Sequence, residues 1–166
     1  MIRSAMYPLF AAIALLSAAA PAVAEDLLHL TFDGVTRDFV VQQHGGQTGF
    51  TRFLSVDAVG IEGVAAETDG AARLVLEIAL PPGARAGDQP HDARIIYRPD
   101  GFRDYWVSPP GFPAHGLRVE DLDLSGPAPR ISGHFEVPLC FTPSPVHAPG
   151  RCLSASGRFD TALTAD

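Results

Sequence analysis

The chain has 166 residues, a formal charge of −7, no lysine, and acids scattered along its length. That balance excludes the basic surface needed for non-specific nucleic-acid binding or for docking on an anionic membrane. The length suits a single domain that can bury enough surface to fold without a staple.

Residues 1–24 read as a secretory signal peptide. Residues 1–8 carry one positive charge, Arg3. Residues 9–20 are apolar or small apart from Ser17, and Ala22 and Ala24 supply an A-x-A cleavage site. Such a run is too short to span a hydrocarbon core of ~30 Å at ~1.5 Å per residue. It is expected as a signal-peptide helix removed on export. That would leave residues 25–166 as one domain with no integral membrane segment, in the periplasm or outside a bacterial cell. The residue directly after the cleavage site is Glu25, not cysteine, so no lipid anchor is expected.

Turn residues then punctuate the chain every eight to twelve positions, a rhythm of short antiparallel strands. Strands are expected over 27–32, 36–42, 50–57, 59–65, 73–80, 93–98, 102–107, 117–124, 130–141 and 152–163. The expected fold is an all-β antiparallel β-sandwich, with a closed or partly closed β-barrel as the alternative.

Segment 72–80 is the clearest strand. Ala72, Leu74, Leu76, Ile78 and Leu80 share one face, while Arg73 and Glu77 lie on the other. Arg98, Pro99, Asp100 and Gly101 form a turn that joins the next two strands as a hairpin. In 117–124 the apolar parity switches between Val119 and Leu122, which calls for a one-residue bulge near Glu120 and Asp121.

The last two strands can be registered from sequence. Two cysteines in an oxidising compartment pair, so Cys140 is set opposite Cys152. Gly133 then faces Phe159 and Phe135 faces Gly157, each ring filling the space that a glycine leaves. The same register sends Ile131, Phe135, Val137 and Leu139 inward and Ser132, His134 and Glu136 outward. A one-residue slip would expose the apolar set.

No H-E-x-x-H helix, C-x-x-C pair, EF-hand loop or G-x-S-x-G elbow occurs. The sequence therefore points away from an enzyme and implies no cofactor. Three long Pro/Gly-rich connections, 81–92, 108–116 and 142–151, each hold one histidine: His91, His115 and His147. With successive strands antiparallel, these connections are expected at one end of the molecule. Phe112 and Trp106 would lie close by as a ligand-binding platform, with Trp106 facing outward because it is out of phase with Tyr105 and Val107.

Three functions are open on this reading. The first is a non-catalytic binding module that uses those three loops to engage an envelope or extracellular protein or a small ligand. The second is a metal-binding protein or metalloenzyme with His91, His115 and His147 as ligands. The third is a carrier of a small apolar ligand. Glu120, Asp121, Asp123 and Ser125 could offer oxygens to calcium, although alternating acids on an exposed strand face account for them equally.

Overall fold

A computed structural model describes residues 26–43, 47–67, 71–101, 104–110, 116–142 and 150–165. The expected signal peptide lies outside them. Among the described residues there is no helix, so none is long and apolar enough to cross a membrane. The strands are β1 (Leu27–Phe32), β2 (Val35–Val41), β3 (Gly49–Arg52), β4 (Asp57–Ala65), β5 (Arg73–Leu80) and β6 (Asp92–Arg98). They continue as β7 (Tyr105–Val107), β8 (Leu117–Asp123), β9 (Arg130–Thr142), β10 (Cys152–Ala162) and β11 (Thr164–Ala165).

Eight of these strands close a circuit. The order β4-β2-β1-β10-β9-β7-β6-β5 returns to β4, and every neighbouring pair is antiparallel. The fold is therefore all-β, and its closure is that of the barrel alternative rather than of two separate sheets. Closure removes the free edges that an open sheet exposes. The long strands β4 and β9 each serve two partners along one side. β3 pairs with β4 where β2 stops, and β8 pairs with β9 where β7 stops; β11 lies parallel beside β3.

Local chemistry sets the registers. Asp33 (φ 50°) and Gly34 (φ 76°) form the two-residue turn between Phe32 and Val35. Two positive φ values match the twist of a tight hairpin, and glycine adopts them without steric cost. Between β9 and β10 the pairing follows the cysteines: Cys140 with Cys152, Phe135 with Gly157, Gly133 with Phe159. The disulfide is formed, with a Cα–Cα distance of 3.9 Å. The bulge on β8 is also present, with the register shifting between Val119 and Asp121 so that Glu120 is the extra residue.

The interior is filled. Leu74, Leu76 and Leu80 from β5, Ile95 from β6 and Ile131 and Leu139 from β9 are all 0 % exposed.

Strand directions also fix the ends. The β1–β2, β6–β7 and β9–β10 connections leave the end that carries the disulfide. The β3–β4, β5–β6 and β8–β9 connections leave the opposite one. Loops 81–92 and 142–151 thus spring from opposite ends, which corrects the expectation that the three histidine-bearing loops share one. The cause is β7 and β8. Both run antiparallel to β9, so they point the same way, and the chain does not reverse direction between them.

Candidate functional site

The outer face of β2, β1, β10, β9 and β8 carries a row of five polar side chains. Cross-strand pairing sets Asp38 beside His29, His29 beside Arg158, Arg158 beside His134, and His134 beside Arg118. At ~4.8 Å between strands the row is roughly 19 Å wide. It is polar because period two sends Leu28, Leu30, Phe135 and Phe159 inward and leaves the alternate positions outside.

Each imidazole is oriented by a carboxylate. His29 Nδ1 lies 2.9 Å from Asp38 Oδ1, and His134 Nδ1 lies 2.8 Å from Glu120 Oε1. The β8 bulge makes the second contact. An extra residue on one strand re-aims a side chain, and here it places Glu120 where it reaches His134, the partner of Arg118. With Nδ1 engaged, Nε2 is the ring nitrogen left for a ligand. Neither imidazole is hydrogen-bonded to a hydroxyl among the described residues.

Three arginines elsewhere in the barrel have fixed partners. Arg73 is 2.6 Å from Glu62, Arg130 is 2.7 Å from Asp160, and Arg52 donates to the Leu124 carbonyl at 2.7 Å. Arg118 and Arg158 have neither ion pair nor side-chain hydrogen bond among the described residues, because the neighbouring carboxylates are held by the histidines.

Two clefts meet at the His134–Glu120 pair. One, of about 510 Å³, lies between residues 86–89 of the β5–β6 loop and residues 117–120 of β8. The other, of about 400 Å³, runs over His29, Thr31, Ser156, Arg158 and Glu136. Gly87 N–H donates to the Val119 carbonyl at 3.0 Å, which pins the loop to β8 and forms the wall of the first cleft.

The residues singled out from sequence fall elsewhere. His91 is exposed in the β5–β6 loop, and its backbone N–H donates to the Ala79 carbonyl at 2.7 Å. His115, His147 and Phe112 lie outside the described residues. Among the described residues no group of three histidine, cysteine or acidic side chains could hold a metal. Glu120 is committed to His134. Asp123 accepts hydrogen bonds from the Ser125 and Gly126 backbone at 2.9 Å each, and these hold its carboxyl below the ordinary value.

Trp106 faces inward, not outward. It sits opposite Tyr97 and Phe141, both on the inner face, and packs 4.8 Å from Phe32 and 5.4 Å from Phe141 between ring centroids. Within a three-residue strand, alternation does not reveal which parity is inner; the partner strands decide it. Trp106, Phe32, Phe141 and Tyr97 thus plug the disulfide end of the barrel with edge-on and tilted aromatic contacts. Burial pushes the Tyr97 hydroxyl above its ordinary value of 10.0, with Arg37 pulling it back and Asp100 adding to the rise.

The sequence register already sets His134 opposite Arg158. It does not reveal that β1 and β8 flank that pair, since those contacts join positions far apart in the chain. No family model, no curated protein and no solved structure matches this chain.

Proposed function

We propose that this domain is a non-catalytic binding module. It is exported by the residue 1–24 signal to the bacterial periplasm or the outside of the cell, and it engages a polar ligand on the grooved outer face of β2, β1, β10, β9 and β8. The observation that carries this reading is a row of two carboxylate-oriented imidazoles with two arginines that have no ion pair among the described residues, lying across two confluent clefts. Directional donors fixed in advance lose little entropy when a ligand immobilises them. Of the three loops considered from sequence, 81–92 walls the first cleft, and 108–116 ends at Gly116, next to the cleft-lining Leu117. The Cys140–Cys152 bridge supports an oxidising destination, where such bonds persist.

The test is an array of neutral and acidic glycans and small metabolites, probed with the natural chain and with the Arg118→Glu/Arg158→Glu double variant. Hits on the natural chain that vanish in the double variant, and survive Arg151→Glu at the disulfide end, sustain the reading. Hits that persist in the double variant, or depend on Arg151, overturn it.

A further inference from the structure

Resting on that binding face, we infer that its ligand is an oxyanion, seated at Arg158 between His29 and His134 and held when the two imidazoles are protonated. Arg158 is exposed, has neither ion pair nor side-chain hydrogen bond among the described residues, and has histidines as its two cross-strand neighbours on the row. Each histidine has its Nδ1 occupied by a carboxylate, so its Nε2 is the nitrogen left to donate beside the guanidinium once a proton is gained. Flanking a planar, fork-shaped donor with two further N–H groups suits a carboxylate, sulfate or phosphate group.

The surrounding charges set the pH dependence. His29 faces Asp38 on β2 and Arg158 on β10. His134 faces Arg118 and Glu120 on β8 and the same Arg158. Glu136 lies one row away on β9, Asp160 lies one row away on β10 with its charge balanced by Arg130 at 2.7 Å, and Asp88 belongs to the loop that walls the first cleft. With both imidazoles neutral, Asp38 and Glu120 balance the two arginines, and Glu136 and Asp88 tip the face acidic. Two added protons offset those two acids and leave cationic donors around Arg158. Protonation of the two imidazoles therefore favours an oxyanion at Arg158, so acidification favours filling of the seat.

Sulfate is the probe, because its charge is constant over this range. The full exported chain is titrated with sodium sulfate at constant ionic strength while the imidazole and arginine side-chain resonances are followed by NMR. Saturable shifts at His29, His134 and Arg158 are expected at about pH 5.5, with affinity at least roughly tenfold weaker at about pH 7.5. Arg158→Gln should weaken binding roughly tenfold or more, the scale of a lost charge-assisted hydrogen bond. Arg94→Gln, on the far side of the barrel, should leave it unchanged. His134→Gln, an independent variant, should flatten the pH dependence. Competition by acetate assigns the seat to carboxylates, and its failure assigns it to tetrahedral oxyanions; either outcome sustains an oxyanion site. No saturable binding at either pH, or equal binding at both, overturns the inference. So does binding indifferent to Arg158→Gln. Array hits confined to neutral ligands that still depend on Arg118 and Arg158 would overturn this inference alone and leave the binding-face reading standing.

Discussion

The ring of Phe135 lies over Gly157 of the neighbouring strand, in the space where a Cβ would be. A methyl at position 157 would collide with that ring and with the His29 carbonyl oxygen of β1. Two neighbours of different kinds thus close the site, one a side chain and one a backbone. Gly157→Ala should therefore destabilise the barrel by about 2 kcal/mol, the scale of overpacking a well-filled core. Urea denaturation checks this, and a companion variant separates the two causes. Phe135→Leu added to Gly157→Ala should recover only part of the loss, because the backbone contact stays. Full recovery would mean that the ring alone sets the limit.

The disulfide closes a loop of sequence separation 12 at the end of this same hairpin. The chain-entropy model gives such a loop on the order of 3 kcal/mol. The Cys140→Ser/Cys152→Ser double variant should keep its β-sheet circular dichroism and unfold at a lower temperature. The natural protein, purified from an oxidising compartment, should show no free thiol by colorimetric titration. Two reactive thiols, or a double variant as stable as the parent, would contradict the structural role given to the bridge.

Much of this hairpin was legible in the sequence because its determinants are local. The cysteines, the ring-over-glycine pairs and the inward apolar set all demand one register, and β9 and β10 adopt it. The β8 bulge was legible for the same reason, since parity is a property of neighbouring residues. What the sequence did not show is non-local. Whether eight strands close into a barrel depends on β4 meeting both β2 and β5, and no residue pattern within β4 announces two partners. The candidate site suffers likewise. His29 and His134 stand 105 positions apart, and only the placement of β10 between their strands brings both beside Arg158. The expectation that the three loops share one end failed on one count of direction, because β7 and β8 are successive strands that do not reverse.

Trp106 offers a direct optical check on the aromatic plug. It is the single tryptophan of the chain, half-buried against Phe32 and Phe141. Its emission should be blue-shifted relative to the unfolded chain. Phe141→Ala should shift it to the red and cost on the order of 3 kcal/mol, as truncations of packed phenylalanine do. Emission already at the solvent-exposed wavelength in the natural protein would place Trp106 on the outside and remove the plug.

Tyr97, next to Trp106 on the inner face, gives the barrel an alkaline limit. Burial raises its hydroxyl above the ordinary value of 10.0, so the folded state holds the proton at pH values where the unfolded chain has released it. The stability contributed by the neutral phenol is therefore complete below the unfolded value of about 10 and is lost as pH rises through the higher folded value. Arg37 works against this trend and Asp100 with it. Tyr97→Phe removes the titrating group but keeps the ring that meets Phe32 at 5.3 Å and Phe39 at 6.3 Å. Urea midpoints at about pH 8 and about pH 11 distinguish the two proteins. The natural chain should lose more stability over that interval than Tyr97→Phe, and the two should be close to equal at the lower pH. An identical alkaline loss in both would assign the decline to tyrosines other than Tyr97.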